Sequence, residues 1–231
     1  MIAQQLEQVR RNIEETCRKC GRDPKEVTLI AVSKTKPEEM IQEAIACGQR
    51  IFGENKVQEL CRKQAKLPKN CEWHMIGHLQ RNKVKDLLGC TALIHSVDSL
   101  RLAEKIEEEA AQRGLSVPIL LEINVAQEES KFGISCEEAE PLARKISKMP
   151  HLKLCGLMTI APNTDCPEEN RPVFRKLHDL FVDMQEKNID NVDMHILSMG
   201  MTKDYVVAIE EGATMVRVGT GIFGERNYVT E

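Results

Sequence analysis

Aromatic side chains are nearly missing from this sequence. One Trp, two Tyr and five Phe among 231 residues make 3% of the chain, too few for a surface on which successive nucleic-acid bases could stack. A dominant charge is missing too. Thirty-two Lys and Arg stand against 36 Asp and Glu, a net charge of −4. The short basic stretches Arg10-Arg11 and Arg81-Asn82-Lys83-Val84-Lys85 read as solvated helix faces, not as a nucleic-acid footprint. No apolar run approaches the roughly 20 residues that cross a bilayer. Met1 to Arg22 is polar and charged at helical spacing, without the apolar centre of a secretory signal. These absences predict a cytoplasmic protein, in which the nine cysteines are reduced thiols. Cys17-Arg18-Lys19-Cys20 has C-x-x-C spacing, but it lies in a charged amphipathic helix, and no second pair completes a zinc set. No metal site is expected.

What is present is ordinary in amount, 42% hydrophobic and 29% charged, and telling in arrangement. The chain organises around Val27-Thr28-Leu29-Ile30-Ala31-Val32-Ser33-Lys34-Thr35-Lys36-Pro37. Its apolar run is that of a parallel strand covered on both faces. Pro37 cannot continue a ladder but can open a helix. Lys34 therefore falls where a strand stops and the chain turns outward, the place where α/β folds bind ligands. An amine beside an apolar core can have its pKa lowered and form imines; the plainer alternative is a charged residue that merely ends a strand.

The same alternation continues to the end of the chain. A helix over Ile2–Cys20 precedes the first strand, Val27–Ser33. Further strands are expected at Arg50–Gly53, Glu72–Ile76, Ala92–Ser96, Val117–Asn124, Leu152–Leu157, Val192–Leu197 and Thr214–Val218. Helices are expected between them at Pro37–Cys47, Lys56–Ala65, Asn82–Leu88, Leu100–Gln112, Cys136–Lys148, Pro167–Lys187 and Thr202–Glu211. Ser198-Met199-Gly200-Met201 reads as a turn before the last of these helices. Eight strands alternating with helices, without a linker, predict a single (β/α)8 TIM barrel over residues 1–231, with the extra N-terminal helix at its bottom or outside it. A doubly wound open sheet is the alternative, but its G-x-G-x-x-G turn is absent.

A barrel places the polar residues after each strand on one rim: Lys34, Glu54 with Asn55, His74 with His78, Asp98, Asn124, Thr159, Ser198 and Arg217 to Thr220. The last two strand ends carry Ser198-Met199-Gly200 and Arg217-Val218-Gly219-Thr220-Gly221. There, glycine backbone, the Ser198 and Thr220 hydroxyls and a helix starting near Thr202 could hold a phosphate. The alternative is two ordinary glycine-containing turns. Arg217, inside the last strand, must find an acceptor if it faces the barrel mouth. Asp98 with Ser99 reads as a helix cap, and His195, between Met194 and Ile196, as a residue packed in the barrel. His74 and His78 straddle a strand end and read as core or rim residues. A lysine and a phosphate site ask for a ligand with a carbonyl and a phosphate. A phosphosugar in a Schiff-base aldolase would fit. So would pyridoxal 5′-phosphate (PLP), which alone gives Arg217 an obvious partner, the pyridine nitrogen.

These residues resemble the pyridoxal phosphate homeostasis protein family (YggS-like, or proline synthase co-transcribed). The resemblance runs through Ala31-Val32-Ser33-Lys34-Thr35-Lys36, Phe52-Gly53-Glu54-Asn55, Trp73-His74-Met75-Ile76-Gly77-His78-Leu79-Gln80 and His95-Ser96-Val97-Asp98-Ser99. It continues in Lys131-Phe132-Gly133, Gly156-Leu157-Met158, Leu197-Ser198-Met199-Gly200-Met201 and Arg217-Val218-Gly219-Thr220-Gly221-Ile222-Phe223-Gly224. It implies a fold-type III PLP barrel, similar to the N-terminal domain of alanine racemase. It implies Lys34 as the lysine of the internal aldimine, and Ser198, Gly219 and Thr220 at the phosphate. Met199 and Gly200 would belong to the same turn, Arg217 would face the pyridine nitrogen, and Asn55 would neighbour the cofactor. Lys56 departs from the tyrosine that follows Glu-Asn in many members.

The resemblance also bears on activity. Type III racemases add a C-terminal β domain that supplies a tyrosine acid/base. This chain ends eleven residues after Thr220 and holds only Tyr205 and Tyr228, so no second base is expected. An arginine at the pyridine nitrogen also weakens the ring as an electron sink. The expectation is a carrier in intracellular PLP and amino-acid homeostasis, not an enzyme, monomeric, with PLP-requiring apoenzymes as conceivable recipients. The alternative is a low-rate amino-acid racemase.

Overall fold

A parallel strand covered on both faces needs apolar side chains at nearly every position, and the computed structural model turns those runs into a closed cylinder. The structure describes residues 1–128 and 131–225. α1 (Ile2–Lys19) precedes β1 (Thr28–Val32). Then follow α2 (Glu38–Ala46), β2 (Ile51–Glu54), α3 (Val57–Lys66), β3 (Glu72–Met75), α4 (Val84–Leu87), β4 (Leu93–Val97), α5 (Leu100–Arg113), β5 (Val117–Glu122), α6 (Cys136–Ile146), β6 (Leu152–Met158), α7 (Arg171–Glu186), β7 (Val192–Met201), α8 (Tyr205–Glu210), β8 (Met215–Val218) and α9 (Thr220–Phe223). The strands pair in sequence order, all parallel, and β8 closes on β1 through Thr28 to Ala31 opposite Met215 to Val218. This is the (β/α)8 barrel that the spacing predicts.

The extra helix lies outside the barrel, not at its bottom. α9 is a single turn, and α1 packs against α2, α8 and α9. The side chains it buries, Ile2, Leu6, Val9, Ile13 and Cys17, recur at the helical period. Cys20, at its end, is exposed. Among the described residues no cluster of His, Cys, Asp and Glu could hold a metal ion, and no helix is long and apolar enough to cross a membrane.

The sequence pattern mislocates one boundary that matters. Ser198-Met199-Gly200-Met201 is not a turn; β7 continues through Met201. The register of β7 against β8 shifts between Ser198 and Met201. Gly200 takes φ +90° there, a bulge that lets the strand bend and go on. The turn comes later, at Thr202–Asp204, where Asp204 Oδ1 accepts the Met201 N–H at 2.6 Å. The helix expected from Thr202 accordingly starts at Tyr205. His195 is not packed in the barrel either. It shares the exposed face of the early part of β7 with Asp193, two residues before it.

Polar residues, by contrast, are buried within the strands as well, among them His74, His95, Ser198 and Arg217, with Glu122 at the end of β5. His95 on β4 touches Ser198 on β7 at 3.0 Å. These strands are not neighbours in the cylinder, so the contact runs through its interior.

Candidate functional site

β1 stops where Ser33, Lys34 and Thr35 leave the sheet. Thr35 has φ +63°, which a non-glycine residue keeps only when its surroundings hold it. Glu59 Oε1 does so by accepting the Thr35 N–H at 2.8 Å. On the other side of Lys34, the Ser33 hydroxyl donates to Glu54 Oε1 at 2.7 Å, and the Ser33 carbonyl accepts from Lys63 Nζ at 2.8 Å. Lys63 also reaches Glu54 Oε1 at 2.7 Å and Glu59 Oε1 at 2.8 Å. Burial pushes the Glu54 carboxyl up, and Lys63 opposes the shift. Of the two lysines in this stretch, Lys36 is directed away. Its ammonium donates to the carbonyls of Phe223, Gly224 and Glu225, at the C-terminal end of α9. Lys34, half-buried, stands in the wall of a cavity.

The cavity opens at the C-terminal ends of the strands and measures about 400 Å³, within the range of small-molecule sites. Val32, Ile76 and Ile160 make its apolar wall; Lys34, Asn55, Arg217, Gly219 and Thr220 bring it polarity. Thr202 completes one end. Its Oγ1 accepts from the backbone N–H groups of Gly219 at 3.2 Å and Gly221 at 3.3 Å. Asn55 Oδ1 is buried and has no hydrogen-bond partner among the described residues. Asn55 lies against Gly77, whose missing Cβ would stand 2.7 Å from the Asn55 Cα. An orphaned acceptor in a cavity wall asks for a donor from a ligand.

Arg217 reaches the cavity from the barrel interior. Its Nη1 donates to Ser198 Oγ at 2.6 Å and its Nη2 to the Thr159 carbonyl at 2.7 Å. Burial lowers the guanidinium to about 10, with Glu122 and Asp204 pulling the other way, so it stays cationic at neutral pH. Asp204 itself is engaged with Met201 and with Asn170 Nδ2, which also donates to the Pro162 carbonyl. These bonds tie the loop after β6 to the loop after β7 across the cavity edge.

The site expected from sequence is thus divided. Lys34, Asn55, Arg217, Gly219 and Thr220 line one cavity. Ser198, Met199 and Gly200 do not. They belong to β7 behind it, because the bulge moves the turn downstream. Ser198 spends its hydroxyl on Arg217 and His95, Met199 is fully buried, and Gly200 makes room for α8. A Cβ there would meet Ala208 Cβ at 2.5 Å. Sequence reasoning missed Thr202, Lys63 and His95. Thr202 directly follows the motif glycine and methionine and could have been found; Lys63 and His95 have no local signature. Tyr205 turns away from the cavity and accepts from Asn12 on α1 at 2.9 Å; Tyr228 lies outside the described residues. His78 stacks on Phe132 and pairs with Asp98 at 3.2 Å, on the rim as expected.

The family model described as alanine racemase, N-terminal domain, matches residues 4–227. A pyridoxal phosphate homeostasis protein of Aquifex aeolicus is 44% identical over 97% of this chain and 98% of its own length. The structure of PipY from Synechococcus elongatus PCC7942 with PLP bound is 35% identical. It superposes with a TM-score of 0.84 and covers 97% of this chain and 100% of that one. An alanine racemase of Clostridium difficile 630 shares the fold at 14% identity, with a TM-score of 0.69 over 95% of this chain and 56% of that one. The matches therefore run from homeostasis proteins at high identity to racemases at low identity, and the chain belongs to the pyridoxal phosphate homeostasis protein family, built on the alanine racemase N-terminal domain.

Proposed function

We propose that this protein binds PLP in the cavity at the strand ends, tethers it covalently through Lys34, and serves intracellular PLP and amino-acid homeostasis as a carrier. The observation that carries this reading is a single 400 Å³ cavity whose wall holds an amine, a buried guanidinium and a glycine-flanked hydroxyl. The orphaned Asn55 Oδ1 supports it, since a ring substituent of the cofactor can donate there. Lys34 would take the aldehyde. The Gly219-Thr220 turn would hold the phosphate, and Thr202, a residue added to the expected set, would shape that turn through the N–H groups of Gly219 and Gly221. Arg217 would hold the pyridine nitrogen. When bound, the cofactor supplies an electrophilic carbonyl carbon and an aromatic ring able to accept electron density.

What the chain's own residues do with that ring supports carriage over turnover. A guanidinium only donates hydrogen bonds. Arg217, cationic at neutral pH, would leave the pyridine nitrogen without a proton and so weaken the ring as an electron sink. The carboxylate of Asp204 is committed to Met201 and Asn170, and Lys203 pairs with Asp165 at 2.6 Å. We extend the same reading to a single domain over residues 1–231 and to a monomeric cytoplasmic protein with unpaired cysteines. PLP-requiring apoenzymes would be its recipients.

The test is spectroscopic. Purified protein incubated with PLP should absorb in the visible, and borohydride should fix the pyridoxyl group on Lys34, found by peptide mapping. Lys34→Ala protein should lose both. The carrier reading fails if the loaded protein exchanges the α-proton of an amino acid, or racemises it, at a rate on the order of 1 s⁻¹ or more.

A further inference from the structure

Inside the barrel, four side chains from four strands form one hydrogen-bonded chain, with a guanidinium that can only donate at one end. Arg217 Nη1 is 2.6 Å from Ser198 Oγ. A guanidinium can only donate, so Ser198 accepts. Ser198 Oγ is 3.0 Å from His95 Nδ1. With the serine proton directed there, His95 Nδ1 is bare and its proton sits on Nε2. His95 Nε2 is 3.0 Å from His74 Nδ1, so His74 accepts in turn and also carries its proton on Nε2. That nitrogen lies 4.0 Å from Glu72 Oε2, on an exposed side chain at the start of β3. Every proton points away from the guanidinium and toward the carboxylate, the order favoured by a cation at one end and an anion at the other. The reverse order would aim two donors, from Arg217 and His95, at Ser198 and strand the serine proton in a buried site.

We propose that this chain positions Arg217 in the cavity, with Ser198 and His95 as positioning residues and His74 with Glu72 as their anchor at the opposite end of the barrel. It rests on the PLP reading for its purpose, not for its geometry. Two Nη donors of Arg217 are held, by Ser198 Oγ and by the Thr159 carbonyl at 2.7 Å. Both partners are neutral, so they fix the guanidinium in place without neutralising it, and the carboxyls that act on its charge are those of Glu122 and Asp204. Desolvation, with help from His74 and Arg217, holds the His95 imidazole well below its usual range, which keeps its Nδ1 bare as the chain requires.

The experiment is nitrogen-15 NMR of the histidine side chains in the full chain without added cofactor. His74 and His95 should both carry the proton on Nε2, and the His95 pattern should hold between about pH 5 and pH 8, where a free imidazole titrates. In Ser198→Ala the His95 Nδ1 resonance should move to that of a nitrogen without a donor; Ser198→Thr should restore it. With PLP bound, Ser198→Ala should shift the pH profile of the visible band and weaken retention about tenfold, as expected for one lost bond to a charged group, while Ser198→Thr should not. A proton on His95 Nδ1 in the parent protein overturns the proposal. So do histidine resonances in Ser198→Ala that match the parent. If Ser198→Ala does not fold, the parent spectrum decides alone. Absence of a visible band in the parent protein would instead reject the PLP reading.

Discussion

Lys63 Nζ donates to the carbonyl of Ser33 across 2.8 Å, from a side chain with no exposed surface. The same ammonium holds Glu59, which holds the Thr35 N–H. Both peptide neighbours of Lys34 therefore hang on one buried cation carried by α3. Lys63→Met keeps most of the volume and removes the charge, leaving Glu54 buried without its partner. It should cost about 3–5 kcal/mol in urea unfolding. Adding Glu54→Gln should return part of that loss, because the stranded charge goes with it. Full recovery of stability with PLP retention still lost would locate the role of Lys63 in orienting Lys34 alone.

Thr202, not Ser198, gathers the backbone of the glycine turn. Thr202→Val keeps the shape and removes the acceptor for Gly219 and Gly221. It should weaken PLP retention by about tenfold or more, the equivalent of one or two lost hydrogen bonds. Met199→Leu, a change of similar volume in the core, should leave retention within about twofold, at a stability cost under about 1.5 kcal/mol. Equilibrium dialysis of the two variants separates them. Equal losses would return the phosphate end to β7.

Gly200 and Gly114 test packing against backbone freedom. Both have positive φ, +90° and +60°. A Cβ at Gly200 would stand 2.5 Å from Ala208 Cβ and 2.9 Å from Tyr205 Cα, whereas one at Gly114 meets nothing within 4 Å. Gly114→Ala should cost about 1–2 kcal/mol through the left-handed conformation alone. Gly200→Ala adds overpacking of α8 and should cost about 2–5 kcal/mol. Thermal unfolding should rank them in that order.

Glu122 sets a pH dependence of stability. Burial, with help from Asp98 and against Arg217, raises its carboxyl to about 7. Its Oε2 is buried without a hydrogen-bond partner among the described residues. An unfolded glutamate titrates near about 4.3. Between those values the folded chain keeps a proton that the unfolded chain has lost. The contribution of this group therefore falls as pH rises from about 4.3 to about 7, and is flat above. Glu122→Gln should remove that slope and gain up to about 3 kcal/mol over the parent at pH 8, with little difference at pH 4. Urea midpoints at the two pH values measure it. Parallel curves for parent and variant would show that the carboxyl ionises freely.

Much of the fold is legible because parallel strands announce themselves. Thr28 to Val32, Leu93 to Val97 and Val117 to Glu122 are mostly apolar runs, and helices of regular amphipathic spacing separate them. Lys34 is legible for the same reason, as the first lysine after such a run. The turn expected at Ser198 to Met201 lies further along the chain, at Thr202–Asp204. Ser198 to Met201 has the composition of a turn, and only pairing with β8 shows that a bulge at Gly200 carries the strand on. Lys63 reads in sequence as a polar position on an amphipathic helix, and His95 as one polar residue in an apolar strand. Their partners lie 30 residues away at Ser33 and 103 residues away at Ser198.

The sequence by itself determined the number and order of the strands, and so which loops share a rim, because burial on both faces leaves a local mark at every position. It determined that Lys34 follows the end of a strand and that Arg217 lies inside one. Only the tertiary structure decided which of Lys34 and Lys36 faces the cavity, which hydroxyl gathers the glycine backbone, and what holds the arginine still. Those choices depend on contacts between distant segments, whose geometry no local pattern encodes.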